Sequence, residues 1–545
     1  MARTYRPVDR EQEFLLPPNM IDWLGEDHLV WFVIEAVARL DTTAFHRSAR
    51  LGGVGRRGYD PDMLLTLFVY AMAHGVSSSR RIERLCHTDV AFRVICAQDT
   101  PDHTVLARFR QHHQAALTDL LTQSLVLAAQ LGMVSLGVVA LDGTKIAANA
   151  GKHANRGEAR LRALAQQFVD EVTATDAAED AVFGQDKRGD EPPSGMRDRT
   201  GRRRRIEQAL QQLTERREQA EKHEAAQAEQ ARACERAVVE GVKGRGRYPR
   251  GADRVEMAAV RWRRARASAA DRYQRWQAAR GRGENPGGRP AVPPDEHHTV
   301  RKAWAVYQGE VDKAGRAAAA RAAADDATGA ATAGGAGQSG RSPRANLTDP
   351  GSRLLKTRDG WVQGYNCQTA ASQDGFIVSA RATQDANDLD QFIATMDDVV
   401  ATAQALAERT GRVDLRVGVL LADAGYDCDA NLAAEGPDRL IADGKRRVVD
   451  QRAAAEPAVG DPPEGAGARE RMTHRLRTPE GHALYKRRSP LVEAPNAWLK
   501  DGRGLRRFAR RGVDAVQSEL SFASAVTNLL KIATKGVTAA RLRAC

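Results

Sequence analysis

Two short apolar runs constrain the fold of this chain more than any other feature of its sequence. Residues 134–141 and 416–422 are rich in Val and Leu and lack the polar alternation of a half-exposed strand. Runs of this length and composition predict strands buried on both faces of a sheet, which requires cover on either side. Each run is followed directly by an aspartate, Asp142 after the first and Asp423 after the second.

The segment between the runs predicts how the two aspartates are arranged. Residues 361–371 and 376–382 carry strand signals and are joined by the turn sequence Ser-Gln-Asp-Gly, which predicts a β-hairpin. A helix is predicted over residues 389–409. Because a helical crossover returns the second run parallel to its neighbours, we expect Asp142 and Asp423 at the same edge of one sheet.

A third carboxylate follows on a helix predicted over residues 490–499, which carries Glu493. Mg²⁺ and Mn²⁺ prefer carboxylate and water oxygens, and a pair of such ions can activate an attacking oxygen and stabilise a leaving one in phosphoryl transfer. Taken singly, Asp142 and Asp423 also fit turn residues at strand ends, and Glu493 fits an exposed helix charge. The prediction of a two-metal site therefore rests on their combination.

The amino-terminal part of the chain is predicted to be all-α, because its apolar residues recur at helical spacing. Residues 77–82 and 100–105 each resemble an N-cap followed by a helix, with basic residues close behind. Such a pair of helices fits a DNA-binding unit. It fits equally well a helical bundle whose arginines face water, and both interpretations stay open.

A long charged region interrupts the predicted sheet. Leu161, Leu164 and Phe168 recur three or four residues apart, which predicts amphipathic helices. Residues 285–294 are rich in Gly and Pro, and residues 314–340 in Ala and Gly, compositions that do not support a packed core. The region is therefore predicted to be a helical, partly low-complexity insertion.

Together these features predict an α/β fold class, in which a mixed-sheet catalytic domain is interrupted by the insertion and preceded by the all-α domain. The predicted parts are the helical domain 1–132, the first catalytic segment 133–153, the insertion 154–345, the second catalytic segment 346–536 and the tail 537–545.

The charge balance favours a polyanionic partner. The chain has 82 Lys plus Arg against 70 Asp plus Glu, a formal net charge of +12. Residues 503–511, with five arginines, suit contacts to phosphates, although a solvated basic helix end has the same composition. The six cysteines include no CxxC pair, and no apolar run is long enough for a membrane span, so we expect a cytoplasmic protein.

Three motifs carry a resemblance to a known family. Residues 141–145 (LDGTK), 421–427 (LADAGYD) and 485–493 (YKRRSPLVE) with Lys500 resemble the catalytic motifs of bacterial insertion-sequence DDE transposases. Further segments resemble one subgroup of that family. They are 22–29, 77–83, 89–93 and 107–110 in the helical domain, 183–191 in the insertion and 348–354 at its exit.

The resemblance implies a ribonuclease-H-like catalytic domain and two Mg²⁺ or Mn²⁺ ions held by Asp142, Asp423 and Glu493. It implies hydrolysis at the ends of the element followed by strand transfer, with double-stranded DNA (terminal inverted repeats and target DNA) as partner, nucleoid association and a homo-oligomer on DNA. Four residues separate Arg488 from Glu493, where the common form of the last motif has three. The residues expected to contact DNA are Lys145, Tyr485, Arg488, Lys500, Arg503, Arg506 and Arg507.

Three other functions compete with this hypothesis. The chain could be a catalytically inactive, transposase-derived DNA-binding protein, although all three carboxylates are present. It could be a nuclease that cleaves DNA and does not rejoin it. A purely structural coiled-coil protein would not require two apolar strands that each lead to an aspartate.

Overall fold

A computed structural model of the chain describes residues 19–47, 58–167, 196–241, 249, 251–283, 290–327 and 344–544. By its contacts the chain divides into two units, one formed by Met1–Ala209 with Arg344–Cys545 and the other by Leu210–Pro343. The segment 183–191, which carries the resemblance in the insertion, lies outside the described residues, as do residues 328–343 of the Ala/Gly-rich stretch.

The amino-terminal part of the first unit is helical, as its sequence predicts. Asp60 caps the helix Pro61–Ala73 by accepting a hydrogen bond from the Asp62 amide at 2.9 Å, and Pro61 occupies the first helical position. Phe45, Phe68 and Phe109 stack in the core of these helices. After a 3-10 turn, Met20–Trp23, the helices are α1 (Leu29–Ala38), α2 (Thr43–His46), α3 (Pro61–Ala73), α4 (Ser79–Thr88), α5 (Val90–Ile95), α6 (His103–His112) and α7 (Gln114–Gln130).

A mixed sheet forms the centre of the first unit. The strands are β1 (Val138–Ala147), β2 (Asn155–Gly157), β3 (Arg344–Asn346), β4 (Arg353–Thr357), β5 (Gly360–Ser372), β6 (Ile377–Thr383), β7 (Val419–Ala422) and β8 (Asp438–Ile441). The order in the main sheet is β4-β5-β1-β7-β8, and β6 also pairs with β5. β1 is antiparallel to β5 and parallel to β7, and β7 is parallel to β8. The predicted hairpin is confirmed as β5 and β6.

The first strand departs from the prediction in its extent. The prediction ends it before Asp142, whereas β1 begins at Val138 and continues to Ala147. The prediction was wrong here because β5 supplies hydrogen-bond partners along this whole length, down to the pair Ala147 with Gly364. Asp142 therefore lies within a strand rather than in a turn after one.

Both faces of β1 are covered, as its apolar sequence predicts. Val139 and Leu141 belong to a core that includes α7, whereas Val138 and Ala140 belong to a second core with Val492. The remaining helices are α8 (Met196–Glu240), α9 (Arg254–Gly281), α10 (His298–Ala327), α11 (Phe392–Thr410), α12 (Asp429–Ala433), α13 (Arg446–Ala455), α14 (Ala468–Arg477), α15 (Pro479–Lys486), α16 (Arg488–Ala497), α17 (Val513–Thr534) and α18 (Ala539–Ala544). A π-helical segment, Trp498–Gly502, follows α16.

A short ladder lies at the point where the chain re-enters the first unit. β2 and β3 pair antiparallel, with Asn155 opposite Asn346 and Gly157 opposite Arg344. Just beyond β3, the buried Asp349 accepts hydrogen bonds from the Tyr365 hydroxyl at 2.8 Å and from the Gly512 amide at 3.1 Å. The re-entry segment is therefore tied to the sheet.

In the second unit, α9 and α10 pack on each other. Trp262 of α9 contacts Trp304 and Tyr307 of α10, with ring centroids 4.7 and 6.1 Å apart, so aromatic packing contributes to this helix pair. No helix among the described residues is both long enough and apolar enough to span a membrane.

Candidate active site

Strand register brings the two aspartates together. The parallel pairing of β1 with β7 places Val138 beside Val419 and Ala140 beside Leu421. Asp142 and Asp423 each stand two residues beyond the last of these pairs. Side chains two residues apart on a strand point to the same face, so the two carboxylates lie side by side at this edge.

A buried arginine bridges the two carboxylates. Nη2 of Arg488 lies 3.0 Å from Oδ1 of Asp142 and 3.2 Å from Oδ2 of Asp423. The Arg488 side chain is 12% exposed, against 24% for Asp142 and 43% for Asp423. Arg488 is the first residue of α16, which packs against β1 and β5. Its guanidinium therefore supplies a positive charge between two carboxylates that would otherwise repel each other.

A second residue of α16 also reaches Asp142. Asn496 Nδ2 makes a long contact of 3.5 Å to Oδ2 of Asp142, and Asn496 Oδ1 accepts a hydrogen bond from the Thr369 hydroxyl at 2.8 Å. Thr369 lies opposite Asp142 on β5. The helix and the neighbouring strand therefore hold this carboxylate from two sides.

Burial dominates the electrostatics of Asp142. Desolvation raises the pKa of Asp142 to about 6 against the lowering effect of Arg488, and the nearby charges of Asp423 and Asp388 raise it further. A group with such a pKa is held at a higher energy when it is ionised. A bound cation would lower the energy of the ionised Asp142 carboxylate. Carboxyl groups with strongly shifted pKa values are often found at functional sites.

Glu493 lies on the same helix but is not joined to the two aspartates. It is exposed and accepts a hydrogen bond from the Ser489 hydroxyl one turn earlier. Within the part of the chain that the structure describes, the ligand oxygens of Asp142, Asp423 and Glu493 are not all within 4.8 Å of one another. The structure thus brings together the two strand carboxylates and places the helix carboxylate apart from them.

The residues present fit a divalent cation. The Arg488 guanidinium shows that the space between Asp142 and Asp423 accepts a positive charge, and carboxylate oxygens are the ligands that hard divalent ions prefer. The site is also half-buried, which strengthens the attraction between carboxylate and cation.

Two further predicted residues lie near this pair. Lys500 is half-buried in the π-helical segment, and burial lowers its pKa, while the Asp142 charge raises it. Tyr485 is 5% exposed and packs with Val138 and Val492, and burial raises its pKa. Tyr485 is thus a core residue beneath the site, whereas the charge of Lys500 interacts with that of Asp142.

The remaining predicted DNA contacts differ in exposure. Lys145 donates to the Lys356 carbonyl at 2.8 Å, and Arg506 is exposed and pairs with Asp501. Arg507 is exposed and follows Arg506 along a short parallel bridge to β1. Arg503 is 6% exposed and donates to the Ala73 carbonyl of the helical domain. In this structure the buried Arg503 guanidinium therefore links its segment to the helical domain through a hydrogen bond.

Sequence reasoning missed a set of polar residues on β5. Asn366, Gln368 and Thr369 are at most 2% exposed and lie in a strand that is otherwise largely apolar at its centre. Asn366 and Gln368 both donate to Asp388. The available signal was two amide side chains two residues apart, and so on one face, in a predicted strand, because polar side chains that become buried there require partners.

Two family comparisons match separate parts of the chain. A transposase domain (DUF772) matches residues 19–112, which run from the first 3-10 turn to the end of α6, and a transposase DDE domain matches residues 456–533, which include Arg488, Glu493 and Lys500. No curated protein and no solved structure matches the chain. One match lies on the helical domain and the other on the segment that carries α16, and together they support an insertion-sequence DDE transposase.

Proposed function

We propose that this chain catalyses transposition of an insertion sequence, by metal-dependent phosphodiester hydrolysis at the element's ends and strand transfer to target DNA. The observation that carries the proposal is the pair of carboxylates set side by side by the β1–β7 register and bridged by Arg488. The family matches supply the reaction class.

The topology supports a ribonuclease-H-like interpretation of the catalytic domain. Along β6-β5-β1-β7-β8, three antiparallel strands are followed by two that run parallel to β1. This arrangement puts the carboxyl end of β7 beside Asp142 of β1, where side chains from two strands can act on one ligand. Asp423 stands directly after β7 at that edge.

Each residue of the site has a proposed role. Asp142, Asp423 and Glu493 would hold two Mg²⁺ or Mn²⁺ ions, which activate the attacking oxygen and stabilise the leaving oxygen when bound. Arg488 keeps the strand carboxylates paired, and its guanidinium fits a phosphate oxygen as well as it fits a carboxylate. Lys500 lies close enough for its charge to interact with Asp142, so a phosphate at the site would be within its field.

Basic residues near the site are proposed to hold the DNA backbone. Lys145 is half-buried on β1, and Arg506 and Arg507 are exposed in the segment bridged to the end of that strand. Such phosphate contacts position the substrate without reading its sequence. Joining two element ends in one reaction requires more than one active site, so we propose that the chain assembles as a homo-oligomer on DNA.

The test is cleavage of a labelled duplex that carries the inverted repeat flanking the element, in Mg²⁺ or Mn²⁺. We expect end-specific nicking by the wild type and loss of at least about 1,000-fold in Glu493→Gln, equivalent to about 4 kcal/mol of metal-assisted stabilisation. Glu480→Gln, at an exposed glutamate of α15, is the matched control.

Three outcomes separate the competing functions. Binding of the duplex without nicking in either metal would support a DNA-binding protein that has lost catalysis. Nicking without strand-transfer products from a pre-cleaved end would support a nuclease. Equal activity of wild type and Glu493→Gln would refute the assignment of Glu493.

A further inference from the structure

A fourth acidic residue, Asp388, lies behind the paired aspartates and takes no part in the roles described so far. It precedes the 3-10 turn Leu389–Gln391, between β6 and α11. Its Oδ1 accepts hydrogen bonds from Asn366 Nδ2 and Gln368 Nε2, both at 2.8 Å. The two amides are buried, so Asp388 supplies an acceptor that they could not replace with water.

Asp388 contacts the backbone beside the first aspartate. A Cβ placed on Gly143 would lie 2.3 Å from Oδ1 and 2.8 Å from Cγ of Asp388, closer than non-bonded atoms approach. Gly143 immediately follows Asp142. The Asp388 carboxylate therefore rests directly on the strand segment that carries Asp142, and the missing side chain of Gly143 makes room for it.

Asp388 also lies near the turn after the second aspartate. A Cβ placed on Gly425 would lie 3.8 Å from both Cβ and Oδ2 of Asp388, and the turn that follows Asp388 packs on the turn that follows Asp423. Gln368 accepts a hydrogen bond from the hydroxyl of Tyr426, which is 1% exposed. Gly425 and Tyr426 belong to the 3-10 turn Ala424–Tyr426. Asp423 caps this turn by accepting a hydrogen bond from the Gly425 amide at 2.8 Å.

The side chain of Asn431 connects the segment after Asp388 with the turn after Asp423. Asn431 Nδ2 donates to the Tyr426 carbonyl at 2.8 Å and to the Leu389 carbonyl at 2.7 Å. The turn after Asp423 and the residue after Asp388 are thus held by one amide. Movement of either segment would break a buried hydrogen bond of the other.

Strand geometry puts Asp388 on the opposite face of β1 from Asp142. Asp142 is paired with Thr369, and Gly143 is paired with Gln368. Paired residues share a face and successive residues alternate, so Gln368 and its partner Asp388 lie behind the carboxylate of Asp142. Asp388 can influence the paired aspartates through backbone and hydrogen bonds.

From these contacts we infer that Asp388, with Gln368 and Tyr426, is a positioning residue that fixes the separation of the Asp142 and Asp423 carboxylates. We call these three residues the Asp388 network. The inference rests on the proposed function, because it assigns the network a role in forming the cation site. The network acts by joining the backbone after Asp142 to the turn after Asp423.

The first experiment measures Mn²⁺ affinity of the full chain by electron paramagnetic resonance, without DNA. Asp388→Ala removes the acceptor of both amides, and we expect the dissociation constant to rise about 10- to 100-fold, the usual effect of removing a group that orients metal ligands. Asp388→Asn keeps an oxygen acceptor in the same place and is expected to recover most of that loss. Asp390→Ala, at an exposed aspartate two residues on, is the matched control.

The conservative variant distinguishes positioning from direct ligation. If Asp388→Asn weakened Mn²⁺ binding as much as Asp388→Ala, the carboxylate charge itself would be required and the positioning role would be refuted. Wild-type affinity in Asp388→Ala would refute it as well. Thermal unfolding of each variant shows whether it is folded.

The second experiment tests the network by exchanging donor and acceptor. Gln368→Glu sets a carboxylate against Asp388, and we expect Mn²⁺ affinity to fall about tenfold or more. The double variant Gln368→Glu/Asp388→Asn restores one donor and one acceptor, and we expect it to bind more tightly than Gln368→Glu alone. A double variant no better than the single one would contradict direct coupling of the two residues.

A milder variant covers the case in which Gln368→Glu does not fold. Tyr426→Phe removes one hydroxyl and retains the buried ring, and we expect a threefold to tenfold loss of Mn²⁺ affinity; an unchanged affinity would overturn the role of Tyr426. A wild type that binds Mn²⁺ but does not cleave DNA would refute the proposed function and leave this inference standing. A wild type that cleaves DNA while these variants bind Mn²⁺ normally would refute the inference alone.

Discussion

The strand side and the helix side of the proposed site differ in what fixes their carboxylates. Asp142 stands on β1 and Asp423 directly follows β7, the parallel neighbour of β1, so backbone pairing places the two residues side by side. Glu493 stands on α16, and its carboxylate is exposed and bonded to Ser489 of its own helix. Backbone register leaves a strand side chain few positions, whereas a helix side chain depends on rotamer and helix rotation.

The difference teaches which half of the site is preorganised. The strand pair is assembled with Arg488 as its counter-charge, and the Asp388 network lies behind it. The helix contributes Arg488 and Asn496 to that pair, but leaves Glu493 outside it. A movement of α16 or of the Glu493 side chain is therefore needed to bring all three carboxylates together. We expect substitutions on the strand side and on the helix side to have different effects.

The largest effect is expected from filling the space behind β1. Gly143→Ala would place a methyl group 2.3 Å from the Asp388 carboxylate, so one of the two must move. Overpacking of this kind costs about 1–3 kcal/mol of the free energy of unfolding. Chemical denaturation measures this loss, and Mn²⁺ titration should show weakened binding.

Gly137→Ala is the matched control for that substitution. A Cβ on Gly137 would meet its nearest neighbour at 3.6 Å, an ordinary contact, in the segment that leads into the same strand. If Gly143→Ala lowered the free energy of unfolding no more than Gly137→Ala does, the strand side would tolerate displacement. The contrast between a preorganised strand side and an adjustable helix side would then fail.

An effect of about tenfold per pH unit is expected from titration of Asp142. Its pKa in the folded chain is about 6 against 3.8 for an ordinary aspartate, so the folded chain takes up a proton as the pH falls through 6. Protonation removes a cation ligand, and Mn²⁺ affinity should fall about tenfold for each unit below 6. Isothermal titration at several pH values measures it.

The same shift predicts the opposite trend for the stability of the metal-free chain. A raised pKa means that the folded chain binds the proton more tightly than the unfolded chain, so the contribution of Asp142 to stability increases as the pH falls from about 6 towards 3.8. Asp142→Asn should lack this increase. Identical pH profiles for the two proteins would contradict the raised pKa.

The smallest effect is expected on the helix side. Ser489→Ala removes the hydroxyl that bonds to the Glu493 carboxylate. Because an exposed hydrogen bond contributes about 1 kcal/mol or less, we expect Mn²⁺ affinity to rise by no more than about fivefold as Glu493 loses a competing donor. A tenfold fall would show instead that Ser489 holds Glu493 in a productive position, and would place the helix side among the preorganised parts.

The sequence was sufficient to predict the elements whose position depends on pairing and periodicity. The hairpin of β5 and β6 and the helix predicted over residues 389–409, observed as Phe392–Thr410, are confirmed, since turn residues and apolar spacing are local signals. The meeting of Asp142 and Asp423 followed from one rule about crossover connections.

The features that could not be predicted from the sequence depend on contacts between residues far apart in the chain. The continuation of β1 past Asp142 requires β5, and the burial of Arg503 requires the carbonyl of Ala73 in the helical domain. Arg488 was expected to contact DNA and instead bridges the two aspartates in the free chain. The DNA contact of Arg488 remains a prediction, because a guanidinium can exchange a carboxylate for a phosphate.

The β2–β3 ladder has a consequence for how members of this family can diverge. Gly157 and Arg344 face each other on one rung, and the sequence between them contains the whole of the second unit, Leu210–Pro343. Loop closure costs only about 0.6 kcal/mol more for each doubling of length. Insertions and deletions between these two residues are therefore nearly neutral for the sheet, and we expect length differences among homologues to accumulate there while the spacing from Asp142 to Gly157 stays constant.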